Sequence, residues 1–136
     1  MPLIWTKPGT LITLDQLRTT LLPTLAIALY RNDYIPTVNS VLADFTEASF
    51  PGYVPQSVSN PNPVFINGGQ EAEVDADLVT FTQTAGPNQT VYGYFVYDAG
   101  LTVICAQRFP APVPMTGAGA SLDVGVKFTG VSQFNG

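Results

Sequence analysis

Histidine is absent from the 136 residues, cysteine occurs once, and charged residues make up 11% of the chain, against roughly 25% in an average globular protein. Without histidine the chain lacks the commonest general base, the Ser-His and Cys-His nucleophile pairs, and the commonest metal ligand. A lone Cys105 excludes an internal disulfide. It falls in phase with Val103 on an expected strand, no base stands ready to activate it, and Arg108 is the one nearby cation, so it reads as a small buried hydrophobe. Lys7, Arg18, Arg31, Arg108 and Lys127 are the only cations. Their scatter builds no phosphate-binding face, so nucleic acid is not an expected partner. Neither a phosphate-binding loop nor a Gly-x-Gly-x-x-Gly fingerprint is present. The most apolar window, LLPTLAIALY from Leu21 to Tyr30, is half of the roughly 20 residues a helix needs to cross a bilayer, so no membrane partner is expected. Arg18 and the triplet Ala26-Ile27-Ala28 imitate a secretion signal, but Asp15, Pro23 and the lack of a basic cluster argue against one.

What the chain does have is apolarity, at 46%, with a net charge of −5. That is enough to bury a core, roughly two-thirds of the unfolded surface at this length. So few charges leave some surface to be covered by neutral polar groups, by another subunit or by a partner.

The pattern divides the chain at about residue 23. Residues 1–23 read as an extended N-terminal arm, MPLIWTKPGT, followed by a short helix. Thr13-Leu14-Asp15-Gln16 fits a capping box, Leu14, Leu17 and Leu21 share one side, and Pro23 ends the helix. Residues 24–136 read as one β domain. Thr24 to Arg31 is a strand with Leu25, Ile27 and Leu29 on one face and Ala26, Ala28 and Tyr30 on the other, which predicts burial on both sides. Asn32-Asp33 turns the chain, and Thr37 caps a single helical turn reaching Leu42. Residues 45–62, punctuated by Pro51, Gly52, Pro55 and Pro61, form a long Pro-rich loop or arm anchored by Phe45, Phe50 and Tyr53.

From Pro63 the pattern is β. Val64-Phe65-Ile66 meets the hairpin signal Asn67-Gly68-Gly69, and the strand EAEVDADL, Glu71 to Leu78, follows. Val79 and Phe81 then occupy the phase that the carboxylates held. The inward face therefore changes near Asp77-Leu78, which predicts a bulge or a strand break. Thr90–Tyr97 pairs through Asp98-Ala99-Gly100 with Leu101–Phe109, the glycine taking the left-handed position of a G1 bulge. Pro110, Pro112 and Pro114 stop that strand. Ser121–Thr129 closes the series with Leu122, Val124, Val126 and Phe128 inward and Asp123 and Lys127 outward. The expected fold is mainly β: a small antiparallel β-sandwich or barrel with an N-terminal arm and one short helix.

Chemistry finds little footing. Glu71, Glu73, Asp75 and Asp77 place same-face carboxylates about 6.6 Å apart, which glycoside hydrolysis tolerates. Four neighbouring acids, however, give no asymmetry between a protonated and an ionised member. Calcium needs ligands wrapped around one point, whereas a strand displays them in a line, so Asp75 and Asp77 make at most a weak site. The expectation is a solvated strand at a sheet edge, its charges discouraging unwanted pairing. Tyr92 and Tyr94 share a face opposite Phe95 and Tyr97, giving either half-buried strand residues or a patch for sugar or protein. The sequon Asn88-Gln89-Thr90 is a three-residue match. No catalytic, cofactor or metal residue is assigned, and the chain does not read as an enzyme.

The run LYRNDYIPT…VLADFTEASFPGY, Leu29 to Tyr53, resembles a group of small virion proteins of tailed bacteriophages. Leu29, Tyr30, Asn32, Tyr34, Pro36, Thr37, Val41 to Ala48, Phe50, Gly52 and Tyr53 carry the likeness. A weaker match follows at Tyr92-Gly93-Tyr94 and Arg108-Phe109-Pro110. The resemblance implies a structural role in a virion. The leading expectation is a capsid decoration (cement) protein, made in the host cytoplasm, that binds the major capsid protein or another virion protein as a homo-oligomer. Trp5, Phe45, Phe50 and Tyr53 are the candidate contacts, with Tyr92 and Tyr94 for the alternative of an adhesion or receptor-binding module on a tail or fibre. A third reading is a subunit of a non-viral assembly.

Overall fold

The computed structural model describes residues 4–5, 25–58, 62–66, 71–75 and 77–131, with side chains described for 25–58 and 77–126. The protein is mainly β and antiparallel. A five-stranded sheet has the order β1 (Ile4–Trp5), β8 (Val103–Met115), β7 (Gln89–Tyr97), β2 (Ala26–Tyr30), β3 (Gln56–Ser57). A three-stranded sheet sets β5 (Glu71–Asp75) between β10 (Lys127–Val131) and β4 (Asn62–Ile66), and β6 (Val79–Thr82) pairs with β9 (Ser121–Val124). No barrel closes among these strands. The helix expected at 13–22 lies outside the described residues.

β2, between the middle strand β7 and the short edge strand β3, carries both layers, as its alternation of large and small apolar groups predicts. Leu25, Ile27 and Leu29 enter the larger core with Val79, Phe81, Val124 and Val126 from the β6–β9 segment, so that pair covers one face of the five-stranded sheet in a sandwich-like arrangement. Ala28 and Tyr30 point the other way, into a second cluster with Phe45, Phe95, Val103 and Ala106. The segment that resembled a signal cleavage triplet is thus part of β2.

Several expectations need correction, and most trace to register. β8 continues through Pro110, Pro112 and Pro114 instead of stopping. Its register against β7 lapses over Pro110 and Pro112, between the pairs Val91–Val113 and Gly93–Arg108, while Pro114 stays opposite Thr90. Prolines fit where the ladder does not ask them for an N–H. The same irregularity places Tyr92 in the Tyr30–Phe95 cluster and Tyr94 in the other one, so these tyrosines lie on opposite faces. A second shift, at Val96/Tyr97, puts Cys105 beside Ile104 in the larger core while Val103 faces away. Cys105 is buried as expected, but out of phase with Val103. At the hairpin tip the left-handed residue is Leu101, with φ 62°, not Gly100. Asp98 fixes this loop, its Oδ1 accepting from the N–H groups of Gly100 (3.0 Å) and Thr102 (2.9 Å).

The acidic strand is central in its sheet, not at an edge, because β10 pairs along one side of it and β4 along the other. The expected strand break is found. β5 ends at Asp75 and β6 starts at Val79, while the partner chain segment passes from Val124 in β9 to Lys127 in β10. Three residues of the chain separate β5 from β6, and two separate β9 from β10. In β6 itself Val79 and Phe81 are buried and Thr80 and Thr82 exposed. The last β stretch is accordingly two strands in two sheets, with Val124 and Val126 inward as expected.

Residues 45–58 are packed and are not a free arm. Phe45, Ala48, Phe50 and Val58 are buried. The main chain is tied to β2 by Ala48 N–H to Leu29 O (2.9 Å) and Val58 N–H to Leu25 O (3.1 Å), and β3 adds a short edge strand.

Candidate interaction surface

The aromatic residues expected to meet a partner mostly build the interior. Phe45 stacks on Phe95 with centroids 4.7 Å apart and meets Tyr30 and Tyr34 edge-on. Phe50 and Tyr53 pack together, and Tyr53 stacks on Phe81. Tyr94 is buried and donates its hydroxyl to Gln107 Oε1 at 2.8 Å. Burial pushes the phenols of Tyr53 and Tyr94 above their ordinary value, for Tyr53 with the further help of its bond to Glu47. The Tyr53 hydroxyl donates to Glu47 Oε2 (2.6 Å) and accepts the Leu29 N–H (3.1 Å). Phe45, Phe50 and Tyr94 therefore offer a partner almost no surface. Tyr92 is half-buried beneath the guanidinium of Arg108, 5.4 Å from its ring centroid. Trp5 belongs to β1, opposite Cys105, and its side chain lies outside those described.

The surface that remains is one the sequence reading did not single out. Residues 31–44 leave β2, cross the Tyr30–Phe95 cluster and return through Phe45. Tyr34, Leu42 and Phe45 form the underside, packed on that cluster. Ile35, Val38 and Val41 stand outward, 63%, 50% and 56% exposed, beside the buried Ser40. Their spacing of three is the one signal that pointed to them. In a stretch holding Pro36, Asn39 and Ser40 it matches neither a strand nor a full helix. Instead of one capped turn from Thr37, two successive turns form. Ser40 N–H bonds to Thr37 O (3.1 Å), and Asp44 N–H to Val41 O (3.0 Å) in the 3₁₀ turn Leu42–Asp44.

This loop is held firmly in one shape. The Ser40 hydroxyl meets Tyr34 Oη at 2.6 Å and accepts the Thr37 N–H at 2.8 Å. Asp44 Oδ2 accepts the Val41 N–H (2.9 Å), and Asn32 bridges the loop's ends through Asp44 O and Thr46 N–H. Beneath it, Arg108 pairs with Asp33 (2.6 Å), and both Arg108 and the Tyr30 hydroxyl donate to Tyr34 O. Desolvation pushes Tyr30 up to about 12, against a smaller opposing effect of Arg108, so its phenol stays a donor at neutral pH. A loop fixed in this way displays three β-branched apolar side chains with little conformational freedom left to lose on binding. Scattered exposed apolar residues are ordinary; three together on one braced excursion are not.

The β6–β9 outer face is polar, with Thr80 Oγ1 bonded to Asp123 Oδ1 at 2.6 Å. Among the described residues no three His, Cys, Asp or Glu side chains gather as for a metal, and no described helix is long and apolar enough to cross a membrane. No protein-family model, curated protein or solved structure matches this chain.

Proposed function

We propose that this chain is a structural, protein-binding subunit of a larger assembly, and not an enzyme. In the form implied by the resemblance at Leu29–Tyr53, it is a decoration protein on the outside of a phage head, held there by contacts with the capsid protein. The observation that carries the reading is the braced loop 31–44, which turns Ile35, Val38 and Val41 to solvent. Rigid apolar projections suit permanent contact with another protein surface, and a repeating lattice multiplies such contacts by avidity. The alternative of a tyrosine patch for glycans loses its main support, since Tyr92 and Tyr94 lie on opposite faces. The test is co-sedimentation of the folded protein with purified capsid shells that lack it. Saturable binding supports the proposal, and a folded sample left in the supernatant ends it.

A further inference from the structure

The chemistry of loop 31–44 narrows the partner, on the reading above that the chain binds protein. Residues 34–43, YIPTVNSVLA, carry no charge at neutral pH. Asp33 and Asp44 stand at their two ends and Glu47 follows, against Arg31 as the exposed cation of the same segment. Arg108 is engaged under the loop by Asp33, its side chain only 19% exposed. The surface is thus an apolar centre with a rim richer in acid than in base, on a chain of net charge −5. An uncharged centre with a polar rim is the usual anatomy of a protein interface.

We infer that Ile35, Val38 and Val41 dock into an apolar seat with a basic rim on a different protein, and not onto a second copy of this chain. With Asp33 neutralised by Arg108, two copies meeting through this loop would bring together two rims in which Asp44 and Glu47 outnumber Arg31, and like charges across a contact oppose it. A Lys- or Arg-rimmed seat turns the same charges into steering and register.

The experiment measures equilibrium binding to purified capsid shells lacking this chain. The wild type is titrated from about 50 to about 500 mM NaCl, a range that compresses the screening length severalfold. Binding is expected to weaken by several-fold over that range. The triple variant Ile35→Ser, Val38→Ser, Val41→Ser is expected to unfold at the wild-type temperature and to bind about a hundredfold more weakly. Asp44→Asn keeps an amide oxygen for the Val41 N–H while removing the charge, and is expected to flatten the salt response. Equal binding by the triple variant overturns the inference and leaves the structural reading standing. Binding unchanged or tightened by salt rejects the basic rim. Self-association in sedimentation velocity that the triple variant abolishes makes a second copy the occupant and overturns the inference. Shells left unbound by folded wild type end both readings.

Discussion

Gly93→Ala tests how the two sides of the five-stranded sheet are fitted together. A Cβ at this position would overlap the Gln107 carbonyl oxygen and stand 2.5 Å from Tyr30 Oη and 2.7 Å from Tyr30 Cε1. Gln107 lies on β8 beside the Gly93–Arg108 register pair, so its carbonyl moves only with the ladder. Tyr30 is fully buried, meets Phe45 edge-on at 5.1 Å and donates its hydroxyl to Tyr34 O. It yields only by giving up that bond and ring contact. Overpacking of a filled site costs about 1–3 kcal/mol, and a lost intramolecular bond adds about 1 kcal/mol. The substitution is therefore expected to destabilise by about 2–4 kcal/mol, a fall in Tm of about 10 °C for a chain of this size. Gly100→Ala is the control: a Cβ there meets only Asp98 Oδ1, at 3.5 Å. It should be neutral or slightly stabilising, since alanine has fewer unfolded conformations to lose. Urea titrations followed by circular dichroism measure both. A Gly93→Ala protein within about 0.5 kcal/mol of wild type, inside the ordinary scatter of surface changes, would refute the close approach of Tyr30 and β7.

Three further outcomes follow from named groups. Leu101→Asn should stabilise by about 0.5–1 kcal/mol in the same assay, because a left-handed leucine is strained by about 1–2 kcal/mol and asparagine tolerates that conformation better; an unchanged midpoint would contradict the strained hairpin tip. Gln83 is fully buried, donates to Ala85 O and Pro87 O and accepts from Gly117 N–H, so Gln83→Leu should cost about 2–4 kcal/mol by stranding those groups; a loss below about 0.5 kcal/mol would show the two loops held by other means. Burial raises the phenols of Tyr30, Tyr53, Tyr94 and Tyr97 from their ordinary value of 10.0, for Tyr30 to about 12. The folded state thus keeps protons that the unfolded state releases, so their stabilisation is complete below pH 10 and is lost as pH rises above it. The urea midpoint should be flat up to about pH 8 and then fall, the buried Cys105 thiol, which burial raises from 9.0 in the same way, giving way before the tyrosines, with tyrosinate absorbance rising together with unfolding; tyrosines that all titrate near 10 in the folded protein would contradict their burial.

What the sequence made legible was whatever depends on alternation within one strand. The two-faced burial of Leu25–Tyr30 and the strand break before Val79 both follow from period-two patterning, and both are present. What stayed hidden was register. A single bulge sends Tyr92 and Tyr94 to opposite faces, and nothing in TVYGYFVY announces it, because the irregularity is shared with Phe109–Val113 on another strand. Prolines at Pro110, Pro112 and Pro114 suggested a strand end for the same reason: their tolerance depends on where the neighbouring ladder lapses. The acidic strand looked like an edge because its charges suit one, while its central place is set by pairing with residues more than 50 positions away. The interaction loop was missed because the three-residue spacing of its apolar residues matches neither a strand nor a full helix. Their exposure depends on Tyr34 and Ser40 turning inward and on Asp44 holding the Val41 N–H, a matter of three-dimensional hydrogen bonding.

The most direct test of the account is a reconstruction of the assembled particle at a resolution that traces side chains. It predicts this chain on the outer surface, with Ile35, Val38 and Val41 seated in an apolar recess of another protein and Lys or Arg around the rim. The account is contradicted if loop 31–44 faces solvent in the assembly while contacts are made by the opposite, β6–β9 side of the domain.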